Sequence, residues 1–393
     1  MNISDHAGAM HRAHTTRPEV RAYRGVNFVS DYTGCGVWRM IWPSLVLSTT
    51  YPNWKEGHPA FHIENLSTVV YDQTTFFNGV RVVRVQRPST DAQCHYLREV
   101  LLPLSKRLGF TVTVDYDDWL LGIPLFNQAH KAYDAKTLNN IASVIRNIEF
   151  ITVSTSYMKF MMNKKLGTPL DKILVLPNRM PKFLFDRHEV KHIEKRGSRK
   201  MKVLWTGSSS HVNVMDPSGA DDVVLLRKLI EKYNTSVDWH IIGLSKSVAV
   251  GKLGFPDFIN FHDWVDVHTY ISLIRNVSPD LAIIPLLDCD FNKAKSNIKL
   301  LEFGAMGIPC TLQELEPYKF STSKFTNFES LVEQFETLSK NPEYRSYIIS
   351  ENKAFINDNH FWLEDPVSLE QYKRFYSGDI ARMCKEKLNE TIA

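Results

Sequence analysis

A chain of 393 residues is too long for one ordinary hydrophobic core, so two domains are the natural expectation. At 44% hydrophobic and 23% charged it has a globular composition, with no run near the ~18 apolar residues that span a bilayer. Its 5 scattered cysteines, without a CxxC or Cys/His cluster, argue against a disulfide framework or a structural zinc site, and a net charge of +4 permits an anionic substrate without demanding one.

Residues 1–24 are polar and basic (His11, Arg12, Arg17, Arg21, Arg24) and lack the apolar core of a signal peptide. They predict an N-terminal arm, and the expected location is cytoplasmic. Residues 26–30 then predict a strand, DYTGCG over 31–36 a glycine turn, and 37–47 a helix that Pro43 breaks or kinks. Further strands are expected at 79–86, 111–114, 150–154 and 173–176, with helices at 92–108 and 135–147 between them. The charged stretch 187–200 (RHEVKHIEKRGSRK) is the expected linker. After it a second series begins: strands at 202–205, 239–242, 259–261 and 281–285, and helices at 223–233, 267–276 and from about 296. Short apolar strands alternating with helices predict an α/β fold, two doubly wound Rossmann-like domains whose ligands lie outside the carboxyl ends of the strands.

The segment 280–309 carries the clearest chemistry. It predicts a buried strand, a polar loop and a helix whose first-turn amides near Ser296 and Asn297 can receive a diphosphate. Lys295 and Lys299, one turn apart on that helix, can meet the same anion, and Glu302 can reach a ribose hydroxyl. The bland alternative is solvated lysines behind an ordinary N-cap serine. The turn Gly207-Ser208-Ser209 offers amides and hydroxyls to phosphate, or is a plain βα turn. Gly34 and Gly36 form a Gly-x-Gly, a weak signal, with Arg39 on the next helix meeting phosphate or solvent. Asp115, Asp117 and Asp118 crowd a strand end, where like charges imply a task, a bound cation or an N-cap cluster. His130 is an alternative polar site residue.

Residues 301–309 (LEFGAMGIP) resemble the "LEAMACGVP"-like signature of glycosyltransferase family 4, and KSNIKLLE over 295–302 followed by Pro317-Tyr318 resembles a subgroup seen in tailed phages and bacterial glycan clusters. The resemblance implies the GT-B fold with domains at 25–186 (acceptor side) and 201–354 (nucleotide-sugar), and helices over 355–393 crossing back to the first. It implies transfer of a sugar from a nucleoside-diphosphate sugar, such as a UDP-sugar, to a hydroxyl, with retention and without a metal or cofactor. Glu302 then holds the ribose, Trp264 sits where the nucleobase is held, and Asp117 or Asp118 lines the reaction centre. Asn178 closes the first domain. Two departures stand out: the family's first glutamate falls on Ala294, with Asn292, Asp290 or Lys295 as replacements, and no basic pair follows Gly207. The expected acceptor is a hydroxymethylated base in phage DNA, the alternative a surface polysaccharide or lipid-linked glycan. A non-catalytic sugar-nucleotide-binding module is the alternative of another class.

Overall fold

Runs such as VLW, LAII and FITV are apolar on consecutive residues, and strands of that kind are stable only when both faces of their sheet are covered. In a computed structural model they form two parallel sheets. The structure describes residues 25–50, 61–64, 73–190, 199–216 and 218–392; the N-terminal arm and most of the expected linker lie outside the described residues. By internal packing the described residues form two units: those from 25 to 121 with 133–181 and 360–392, and those of 122–132 with those between 182 and 359.

The first unit holds β1 (Gly25–Phe28), β2 (Phe61–Glu64), β3 (Val82–Gln86), β4 (Thr111–Tyr116), β5 (Phe150–Val153) and β6 (Ile173–Val175), in the order β2-β1-β3-β4-β5-β6. Register runs Val26 to Val83 and Val83 to Val112. The strand order reverses at β1, so the loops after β1 and β3 leave in opposite directions and open a crevice. Helix starts are fixed locally: Asp134 accepts from Thr137 N–H to cap Ala135–Asn147, and Thr90 and Gln93 form a reciprocal capping box before Asp91–Tyr96. The helices Pro366–Tyr376 and Ile380–Ile392 pack in this unit, where Tyr376 donates to Asn27 Oδ1 at 2.9 Å and the Phe375 ring lies 5.5 Å below the Arg84 guanidinium.

Pro43 does not end its helix. A π-turn over Val37–Ile41 runs into the α-helix Trp42–Thr50. Proline cannot donate to the Arg39 carbonyl four residues earlier; Arg84 Nη1 donates to it instead, at 2.9 Å.

The second unit holds β7 (Lys202–Thr206), β8 (Asp238–Ile242), β9 (Asn260–His262), β10 (Leu281–Ile284), β11 (Cys310–Gln313) and β12 (Lys324–Phe325), in the order β12-β11-β10-β7-β8-β9. Val203, Leu281, Ile283, Trp239 and Phe335 lie in its core. Here the reversal falls between β7 and β10, which places the turn after Thr206 beside the loop after Ile284.

Candidate functional site

In the second unit the switch point gathers side chains from three connections. The helix Val267–Val277, started by the Asp266 cap, supplies Tyr270. The Tyr270 hydroxyl lies 3.0 Å from both Thr206 Oγ1 and Glu302 Oε2, and it accepts from Lys299 Nζ at 2.9 Å. Lys299 Nζ also donates to Glu302 Oε2, at 3.1 Å. Burial works against the Lys299 charge, but Glu302 overcomes it and raises the ammonium above its ordinary value. Both bonds to Glu302 fall on Oε2, so Oε1 can accept from a ligand hydroxyl.

The chain before Lys299 differs from the expectation that Lys295 and Lys299 lie one turn apart on one helix. Asp290–Ala294 forms one short helix, Lys295 turns to an extended backbone, and a second helix spans Ile298–Ala305 behind Asn297. Lys295 and Lys299 therefore do not share a helical face; Lys295 lies 5.0 Å above the Phe291 ring. Asn297 makes no side-chain bond to the first turn, so the amides of that turn are not capped by it. Ala294 is fully buried. Asn292, one proposed replacement for the missing glutamate, is committed inward: Nδ2 donates to Asp222 Oδ1 at 2.6 Å and to the Leu287 carbonyl at 2.9 Å.

Gly207 leads into the 3-10 turn Ser209–His211, with Ser208 accepting from Ser210 N–H. A Cβ on Gly207 would lie 2.6 Å from the Trp205 ring, so the turn is closed against that indole. His211 Nδ1 donates to Asp222 Oδ2 at 2.7 Å. Asp222 and Tyr270 escaped the sequence reading, because no local spacing joins the connection after β7 to the connection after β9. Trp264, after β9, is 54% exposed and presents a free-standing indole.

In the first unit the switch point gathers a different set. Arg87 follows β3 with a positive φ of 48°. It donates through Nε to Asp117 at 2.5 Å, through Nη2 to Asp118, and through Nη2 to Cys35 Sγ at 3.1 Å. Cys35, Asp117 and Asp118 present ligand atoms within 4.8 Å of one another, the spacing of a cation site, and the Arg87 guanidinium is the cation that meets all three. Burial raises the Asp117 carboxyl above its ordinary value, and the neighbouring Asp118 and Asp115 add to this against the pull of Arg87.

Asp115 does not belong to that cluster. It lies within β4, fully buried, and takes Arg39 Nε at 3.0 Å, Arg39 Nη2 at 2.7 Å, Arg84 Nη2 at 2.5 Å and Thr152 Oγ1 at 2.5 Å. Burial alone would push its carboxyl up, but the two guanidiniums hold it well below the usual carboxylate range. Arg39, expected to meet phosphate or solvent, is 1% exposed, and its Nη1 donates to the Leu176 carbonyl and Asn178 Oδ1. A buried guanidinium needs this saturation.

Gly34 and Gly36 are likewise committed. Asp31 Oδ1 accepts from Gly34 N–H at 2.6 Å, and its Oδ2 from Gly36 N–H at 3.3 Å, so an internal carboxylate fills the concavity expected to face phosphate. His130 lies with the second unit, its Nδ1 donating to the Ile123 carbonyl at 2.9 Å.

No protein-family model matches this sequence, and no curated protein matches it. Solved structures do. An α-glucosyltransferase in complex with UDP and a 13-mer DNA containing an HMU base aligns at a TM-score of 0.58 and 11% identity, over 91% of this chain and 98% of the other. A glycosyltransferase from Rickettsia africae aligns at 0.57 and 13%, over 91% and 98%. Anabaena HepE in complex with UDP and glucose aligns at 0.56 and 10%, over 89% and 98%. This chain has the GT-B fold. At these identities the likeness is one of architecture, and chemistry has to be argued from side chains.

Proposed function

We propose that this GT-B protein is a glycosyltransferase that moves a sugar from a nucleoside-diphosphate sugar to a hydroxyl, with the donor held by the second unit. The observation that carries the reading is the β7/β10 switch point, where Thr206, Tyr270, Lys299 and Glu302 converge beside the first turn of Ile298–Ala305, which the Asn297 side chain does not cap. The leaving diphosphate gains charge as the glycosidic bond breaks, and fixed amides with Lys295 and Lys299 neutralise it without reorganising. Glu302 Oε1 accepts from a ribose hydroxyl, and Trp264 offers an aromatic face to the base. This division of roles matches the resemblance to family 4, which carries retention with it.

Asp117 and Asp118, with Arg87 between them, form the acceptor-side cluster. Because the Arg87 guanidinium already takes the cation's place between the two carboxylates, the reaction is proposed to run without a metal, and EDTA should leave turnover unchanged. The proposed acceptor is a hydroxymethylated base in phage DNA, a chemistry represented by the HMU-containing complex of one structural neighbour. Such a base has to leave the stack to be modified. A cytoplasmic setting follows, and no helix among the described residues is long and apolar enough to cross a membrane. The test is nucleotide release from a panel of nucleotide-sugars with hydroxymethylated duplex DNA or glycan acceptors. Transfer to DNA with salt-sensitive duplex binding supports the DNA reading; transfer to a glycan alone replaces the acceptor, and no turnover despite nucleotide binding leaves a binding module.

A further inference from the structure

His211 sits at the β7 side of the proposed donor site, and the surrounding chain holds its ring in one orientation. Trp205 meets it edge-on at 6.3 Å, and a Cβ on Gly207 would lie 3.0 Å from its Cδ2. Nδ1 donates to Asp222 Oδ2, and Asp222 is itself fixed from the β10 connection by Leu287 N–H at 2.9 Å and Asn292 Nδ2 at 2.6 Å. With Nδ1 carrying the proton, Nε2 is the nitrogen whose lone pair is open. The side chain is 21% exposed, so a ligand can reach the ring.

The charges around this ring oppose one another. Burial and the Lys295 ammonium disfavour a second proton, Lys299 adds to that, and Asp222 favours it; the balance lies on the neutral side. The turn Gln128–Ala132, packed against Ser209–His211, brings His130 and Lys131. A diphosphate bound here faces Lys295 and Lys299, cancels the two cations that add to burial in holding the imidazole neutral, and adds negative charge of its own. Both changes act in the same direction.

We propose that His211 is a donor-binding residue that takes up one proton from solvent as the nucleotide-sugar binds. Nδ1–H stays on Asp222, and the proton goes to Nε2, which then donates a charge-assisted hydrogen bond to a diphosphate oxygen. His211 becomes a cation only when its anion is present, and so supplies the positive charge that the turn after Gly207 otherwise lacks. The inference rests on the donor site proposed above.

The test is calorimetric titration of the intact protein with UDP-glucose, ADP-glucose, GDP-mannose and CDP-glucose, in buffers of different ionisation enthalpy between about pH 6 and pH 8. The diphosphate of a nucleotide-sugar keeps its charge over that range, so protons taken up go to the protein. The expected result is uptake approaching one proton at the upper end of the range, with affinity falling as pH rises. His211→Gln should abolish the uptake and weaken binding at the lower pH roughly tenfold, the scale of one charge-assisted hydrogen bond. Asp222→Asn should reduce the uptake, and His211→Lys should bind without pH dependence. Tight binding with no proton uptake by the unaltered protein overturns the role of His211 and leaves the donor site standing. Binding of none of the four donors overturns both.

Discussion

Glu302 and Lys299 form the buried pair on which the proposed donor site turns. Their bonds, with that of Tyr270, fall on one carboxylate oxygen, and the proposal gives the other to a ribose hydroxyl. Glu302→Gln should weaken nucleotide-sugar binding by roughly 10- to 100-fold, since hydrogen bonds to a charged group contribute about 1.5–3 kcal/mol, measured by calorimetry. Unchanged affinity and turnover would remove Glu302 from the site. Asp115 answers for stability. Asp115→Asn leaves two buried guanidiniums without their counter-charge and should cost about 3–5 kcal/mol in urea unfolding. Its carboxyl is depressed by Arg39 and Arg84, so its contribution is complete above the unfolded value of about 3.9 and is lost as pH falls below that. An acid titration of the unaltered protein should show this loss below about pH 4, and the Asn variant should lack it. These pairings escape a sequence reading because Arg39, Arg84 and Asp115 lie on three elements: the pairing of β3 with β4 brings Arg84 beside Asp115, and the packing of the helical segment Val37–Ile41 brings Arg39.

At the scale of elements, the loops at the strand ends are set by close backbone approach. Gly243 follows β8 with φ 102°, and a Cβ there would lie 2.4 Å from the Gly207 carbonyl oxygen. Gly254, at φ 68°, has open space where its Cβ would be. Gly243→Ala should therefore displace the Gly207 turn and lose donor affinity as well as stability. Gly254→Ala should cost only about 1 kcal/mol from its backbone and leave binding unchanged, by thermal melting and calorimetry. The helix Ala135–Asn147 was legible because its cap and its apolar spacing agree. The extended backbone at Lys295 was not, since Lys295, Ser296 and Asn297 suit a first helical turn and a loop alike, and no proline or glycine marks the boundary.

Over the whole molecule, the first unit is assembled from chain segments far apart in sequence. Residues after 359 close it: Met180 pairs with Trp362 in a parallel bridge, and Tyr376 bonds Asn27. Ending the chain after Asn359 should uncover the bed of Phe375 and Tyr376, both fully buried, and unfold the first unit while the second keeps its melting transition. Two-transition calorimetry of the shortened chain would show it, and an unchanged first transition would contradict it.

What the sequence determined by itself was the alternation of strand and helix, and with it two doubly wound sheets. Apolar period and caps act over a few residues, and both are written locally. It also singled out 280–302, where a buried strand, a polar loop and a helix start follow one another directly. Tertiary structure decided which charges are available. It put Arg39 in the core, closed Asp31 over the glycine amides, placed Arg87 among Cys35, Asp117 and Asp118, and joined His211 to Asp222 at the switch point. Burial and counter-charge are properties of neighbours in space, and strand order brings those neighbours together.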